Sequence, residues 1–261
     1  MPYASSREIF HSFFVHGHHI DGEYQKILDI PDYDVNYVPP KVFLSWNRRF
    51  RRHRIYLALI LEELNLIDRC FISFAKIDGE RATNSFAEQV KNLQDPINIY
   101  GNNTFHIDHH TPHRLENRLP LVIDGETDIV KMCEDYGFTR TYYKDTLVSL
   151  ITETNFSENE CTLTEISFKP IFNMHPFIIV GVPGAMQAMR DLGFKTFGDF
   201  WNEDYDSEAD PGNRLIKIKN VLQEIASWND DQIRTFKQNV KPILTHNYGM
   251  LKEPGSVAII N

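Results

Sequence analysis

Eight residues, "NRRFRRHR" from Asn47 to Arg54, hold five arginines and one histidine in a chain whose formal net charge is -9. Guanidinium groups match phosphate oxygens two bonds at a time, and backbone N–H groups at a helix start add further donors. A pyrophosphate is the ligand such a loop fits; a solvated basic turn is the plainer explanation of the same residues. A second group, "TLTEISFKP", places Thr162 or Thr164 where it would cap a helix, Glu165 in the first turn and Lys169 one turn along. A carboxylate there can accept both hydroxyls of a ribose while the lysine meets phosphate. A capped amphipathic helix is the alternative. The third group is a density of histidines: "HGHHIDGEY" and "FHIDHHTPHR" supply His16, His18, His19, Asp21, His106, Asp108, His109, His110 and His113. Such spacing suits metal ligands, or a general base in a polar loop.

These groups need elements to position them. "KVFLSW" is an apolar run of β-forming residues, and "RIYLALILEELNLI" after the arginine loop has the spacing of an amphipathic helix. "RCFISFAK" then returns as a strand. Strand, loop, helix, strand is a βαβ unit, which implies a parallel sheet and puts the arginines at a strand's carboxyl end, where open α/β sheets bind ligands. From about Ile77 to Leu119 the text is polar, with one helical stretch at "SFAEQVKNL", and reads as an excursion from the sheet. "LPLVID" returns to the fold, "DIVKMCEDYG" suits a short helix and "TLVSLITET" a strand. A helix starting near Thr162 or Thr164, a buried strand "PFIIVG", a Pro-Gly turn and the helix "AMQAMRDLG" closed by Gly193 repeat the same grammar. Two further helices, "RLIKIKNVLQEIASW" and "DDQIRTFKQNVKPIL", form a C-terminal tail.

Composition sets the frame. At 261 residues, 42% hydrophobic and 24% charged, the chain suits one main globular domain rather than a disordered or fibrous protein. Asp and Glu number 36 against 27 Lys and Arg, so a polyanion would have to meet a local patch. Cys70, Cys133 and Cys161 lie far apart with no CxxC pair, as expected of reduced thiols. The N-terminus lacks the pattern of a secretory signal, and the longest apolar runs are too short to cross a bilayer. A cytoplasmic location is the expectation.

The text from "TLVSLITETNFSENECTLTEISFKP" through "FIIVGVPGAMQAMRDLGFKTFGDF" resembles the donor-binding half of fucosyltransferase-like glycosyltransferases of the B class, and more closely a group of bacteriophage and giant-virus glycosyltransferase-like proteins. The family pattern is a strand ending in an acidic residue, Thr-Glu-Lys at a helix start, then a buried strand ending in Gly. Here those places fall on Glu153, Thr164 with Glu165, and Gly181. Ile166 stands where the family has lysine, so Lys169 takes that role. Upstream, "FLSWNRRFRRHRIYLAL" matches a strand, a turn at Asn47 and a diphosphate-binding arginine nearest Arg54.

The resemblance implies a Rossmann-like parallel sheet with helices on both faces, one half of a glycosyltransferase B fold, with a polar insertion at about 77–119 and a helical C-terminal tail. On this reading residues 1–40 are a histidine-rich segment and 41–261 the nucleotide-sugar-binding domain. The implied function is transfer of a sugar from a nucleoside-diphosphate sugar to a hydroxyl. The donor would be held by Asn47, Arg48, Arg49, Arg54, Glu153, Thr164, Glu165 and Lys169, and the base would come from His18, His19, Asp21 or Asp108. With arginine and lysine neutralising the diphosphate, no obligatory metal or other cofactor is expected. Phage relatives point to hydroxymethylcytosine in DNA as an acceptor. Two rivals from other classes stand beside it: a silent nucleic-acid-binding module using the arginines alone, and a metal-dependent phosphoesterase, since Asp108-His109-His110 is similar to the motif of the DHH family.

Overall fold

Four short apolar runs become the four strands of one sheet: β1 (Phe43–Trp46), β2 (Cys70–Ser73), β3 (Val148–Thr152) and β4 (Phe177–Val180). The computed structural model describes residues 30–47, 50–76, 85–93, 106–123, 140–157, 161 and 163–252. All pairings are parallel, in the order β2-β1-β3-β4, with Phe43 beside both Cys70 and Val148, and Ser149 beside Phe177. The runs are near-continuous rather than alternating because a parallel sheet is covered on both faces. Every residue of β3 and β4 is buried.

Helix α1 (Arg52–Glu63) follows β1. The sequence suggests an amphipathic helix, but His53 through Glu62 are all buried. The reason is tertiary: α3 (Thr111–Glu116) and α7 (Pro211–Ala226) both pack on α1. The one buried acid, Glu62, is met by Arg114 at 3.5 Å and Arg118 at 3.3 Å. The helix also stops earlier than its apolar pattern. Asn65 enters the left-handed region at φ 56, and Leu66 N–H returns to Leu61 O at 2.7 Å while Asn65 N–H returns to Glu62 O at 3.0 Å. That closing motif accepts Asn where most residues are strained.

Part of the excursion serves the core. Helix α2 (Phe86–Leu93) and α3 bring Phe86, Val90 and Leu115 into the same apolar cluster as the sheet, and Leu121 bridges back to Phe74. A short α4 (Arg140–Lys144) leads into β3, and α5 (Glu165–Phe172) and α6 (Ala185–Asp191) flank β4. After a 3-10 turn at Asp204–Ser207, α7 begins with Pro211 and is capped by Asp210, which accepts from Asn213 N–H at 2.8 Å. The last helix, α8 (Asp230–Lys252), continues past Pro242 and packs on α5.

Cys70 is a free, buried thiol pushed up to about 12 by desolvation, and Cys161 is free and half-buried. The short helix expected at "DIVKMCEDYG" lies outside the described residues. Among the described residues no helix is long and apolar enough to cross a membrane.

Candidate functional site

The sheet order places β1 and β3 side by side, while their following strands, β2 and β4, lie on opposite sides of that pair. This is the switch point of the sheet, the place where open α/β sheets bind ligands, on the edge formed by the carboxyl ends of the strands. The residues at that edge come from both recognised motifs. Asn47 ends β1 with only 2% of its surface exposed. Its Oδ1 accepts from the Thr152 hydroxyl at 2.7 Å, its Nδ2 donates to Ser45 Oγ at 2.9 Å, and its N–H reaches Ser73 Oγ at 3.1 Å. One side chain therefore ties the ends of β1 and β3, and its backbone ties in β2.

Two residues of the first turn of α1 continue the tie. His53 Nε2–H donates to Glu153 O at 2.8 Å, and its ring stacks on Phe156 with centroids 5.2 Å apart. Since a carbonyl only accepts, Nε2 carries the proton. Arg54 is buried and donates from Nη2 to Thr152 O at 3.0 Å. Arg51, the residue before the helix, is half-buried and extended; Arg52 is exposed. Arg48 and Arg49 lie outside the described residues.

Glu153 sits on the same edge, 1% exposed, but its oxygens are turned inward. Oε1 accepts from Thr164 N–H at 2.9 Å and from the Ser167 hydroxyl, and Oε2 accepts from the Thr164 hydroxyl at 2.8 Å and Thr154 N–H at 3.2 Å. Burial raises its carboxyl above the usual range, and these hydrogen bonds pull the other way. Thr164 holds the N-cap position of α5, as the sequence suggests, yet its hydroxyl serves Glu153 rather than the helix. Glu165 opens α5; its side chain and Thr162 lie outside what is described. Lys169 is half-buried in the last turn of that helix. Gly181 follows β4, and a Cβ there would stand 3.4 Å from Glu153 Cβ, so the two strand ends meet closely.

Three described helices start on this edge, and they differ in charge. The start of α5 faces Glu153. The start of α6 faces Asp206, whose carboxylate accepts from Met186 N–H at 2.8 Å and Gln187 N–H at 2.9 Å. A carboxylate at a helix start satisfies the free N–H groups and the positive end of the dipole. The start of α1 has no acidic residue in its first turn and no side-chain cap, and arginines surround it in the sequence.

The histidine groups do not converge on this edge among the described residues. Asp108 lies at the far end of α1: its N–H donates to Glu63 Oε1 at 3.1 Å. At about 1.5 Å per residue, α1 separates its two ends by roughly 16 Å. The Asp108 carboxylate accepts from His110 N–H at 2.7 Å, which holds it below the usual range and closes a local turn. His109 and His110 are exposed beside it, with rings 3.8 Å apart. Asp108 thus lies at the end of α1 away from Arg51, Arg52 and Arg54. No group of three potential metal ligands occurs among the described residues. His18, His19 and Asp21 lie outside them.

Sequence reasoning also passed over "WNEDYDSEAD". It folds against α6 to border a concavity of about 970 Å³ beyond β4, lined in part by Gly184, Arg190, Asn202, Glu203, Asp204 and Asp206. Arg190 pairs with Glu203 at 2.9 Å and Asp206 at 3.4 Å. Burial raises the Glu203 carboxyl while Phe197 N–H, Thr196 and Arg190 oppose the shift. The density of acids was the available signal; their partner, Arg190, is visible only in the fold. No protein-family model, no curated protein and no solved structure matches this chain.

Proposed function

We propose that this protein is a glycosyltransferase that binds a nucleoside-diphosphate sugar at the switch point between β1 and β3 and transfers the sugar to a hydroxyl acceptor. The carrying observation is the contrast among the three helix starts: protein carboxylates face α5 and α6, whereas among the described residues α1 follows an arginine-rich loop, its N-cap residue Arg51 makes no side-chain capping bond and its first turn contains no acid. The rule of right-handed crossovers puts α1 and α5 on opposite faces of the sheet, as in a Rossmann-like half of a B-class glycosyltransferase. The diphosphate meets the α1 start and the flanking arginines Arg48, Arg49, Arg51 and Arg52, which stabilise charge developing on the leaving group. Lys169 and Glu165 remain the candidates for the rest of the nucleotide.

The geometry supports a different role for three of the expected donor residues. Asn47 and Glu153 have their side-chain polar atoms engaged within the protein, and Arg54 is directed to the β3 backbone, so they shape the carboxyl edge of the sheet. The base belongs to His18, His19 or Asp21 rather than Asp108. A DNA acceptor carrying hydroxymethylcytosine would approach from the arginine side, because the β4 side presents Asp199, Glu203, Asp204 and Asp206 against Arg190.

A thermal-shift series with nucleoside diphosphates and their sugars tests the reading. At least one nucleoside diphosphate should stabilise the wild type and Asp108→Ala alike. Arg48→Ala/Arg49→Ala should lose that stabilisation while keeping the unliganded melting temperature. If no nucleoside diphosphate raises the wild-type melting temperature, the donor site is not here.

A further inference from the structure

At the opposite edge of the sheet, where β3 and β4 begin, a cavity of about 430 Å³ is bounded in part by Tyr33, Tyr37, Lys144 and Lys237, with Asp32, Asp34, Asp145 and Arg140 also on its wall. That volume falls in the range of small-molecule sites. Lys237 comes from α8 and is 6% exposed. Its Nζ donates to Tyr37 O at 2.7 Å and stands 5.0 Å and 5.4 Å from the ring centroids of Tyr33 and Tyr37. Lys144, exposed and 5.6 Å from the same Tyr37 ring, brings a second cation to the cavity.

Desolvation lowers the Lys237 ammonium to about 8, with Asp34 opposing the shift and Lys144 adding to it. The two tyrosine rings favour the ammonium, so burial and the neighbouring lysine act against them. Behind the cavity, His175 is buried and held neutral, lowered to about 4 by desolvation. Asp34 outweighs Lys144, so removal from water is what frees the Lys237 amine, and a desolvated lysine is nucleophilic at neutral pH.

We propose that this cavity is a second ligand site, in which the Lys237 amine condenses with a small aldehyde or ketone that carries a carboxylate, Lys144 meeting the carboxylate. The Nζ lone pair forms a bond to the carbonyl carbon as the C=O pair moves to oxygen, which takes a proton. Nitrogen then gives up its remaining protons, water leaves, and an imine is formed. One amine and one carbonyl give one imine and one water, with no oxidant or reductant.

The test uses the intact wild-type chain at about pH 7.5 with glyoxylate or propanal, cyanoborohydride to reduce the imine, and peptide mass spectrometry. At that pH an amine near 8 is about 24% neutral and an ordinary lysine about 0.1%. Lys237 should therefore be labelled by glyoxylate at least about tenfold faster than Lys241, which is exposed one turn further along the same helix. The rate should saturate with glyoxylate, and Lys144→Gln should remove the preference for glyoxylate over propanal. Labelling of Lys237 no faster than Lys241, or equal and unsaturable labelling by both compounds, overturns the proposal.

Discussion

Replacing Asn47 by Leu keeps the approximate shape of the side chain and removes both of its polar ends. The Thr152 hydroxyl, on a residue 1% exposed, then has no acceptor at the place where it now donates at 2.7 Å. An unsatisfied buried donor costs about 1 to 3 kcal/mol. Ser45 loses the hydrogen bond it accepts at 2.9 Å but still donates to Leu150 O at 3.2 Å, a loss of about 0.5 to 1 kcal/mol. The single change should therefore destabilise by about 1.5 to 4 kcal/mol in urea unfolding. Thr152→Val, which strands Asn47 Oδ1, should cost about 1 to 2 kcal/mol. The double variant removes both partners, so the stranded groups vanish together. It should be more stable than the sum of the two losses by about 1 kcal/mol. It should also retain its response to a nucleoside diphosphate, because Asn47 aligns the two strands rather than touching the ligand. Additivity within about 0.3 kcal/mol would falsify the view that these side chains form one junction.

Acidification should act through His175, whose Nε2–H donates to Thr146 O at 3.0 Å and whose Nδ1 faces Ser149 Oγ at 2.8 Å. Its value falls from the ordinary 6.5 to about 4 on burial, so the unfolded chain binds the proton more readily than the fold does. Stability is thus kept above pH 6.5 and lost as pH falls from there to about 4, by about 3 kcal/mol in all. His175→Gln should flatten that part of the pH profile, and an unchanged profile would show that other groups set it. Asp206→Ala should cost about 1 to 2 kcal/mol by freeing Met186 and Gln187 N–H. Hydrogen exchange at these two amides should quicken before the rest of α6; unchanged exchange would show that Asp206 is not the cap.

The strands were legible because their signal is local: "FLSW", "CFIS", "VSLIT" and "FIIV" are short apolar runs, and the alternation with helices called for a parallel sheet. The stop at Gly193 and the start of α5 after Thr164 were equally local, since each depends on backbone freedom or position within one turn, although the Thr164 hydroxyl went to Glu153 rather than to the helix. Burial of α1 on nearly all sides was not legible, because it depends on α3 and α7 arriving from elsewhere in the chain. The resemblance to glycosyltransferases singled out Asn47, Arg54, Glu153 and Thr164, and the fold brings all four to the carboxyl edge of the sheet. Their roles were decided by hydrogen bonds across long separations: Asn47 with Thr152, Arg54 with the β3 backbone, and Glu153 with the start of α5. The positions of Asp108 and Lys237 were decided by tertiary structure alone, one placed beyond the far end of α1 and the other buried against a segment 200 residues earlier in the chain. A residue's type sets which bonds it can make, but which partner lies within 3 Å and how much water is excluded are properties of the packed chain.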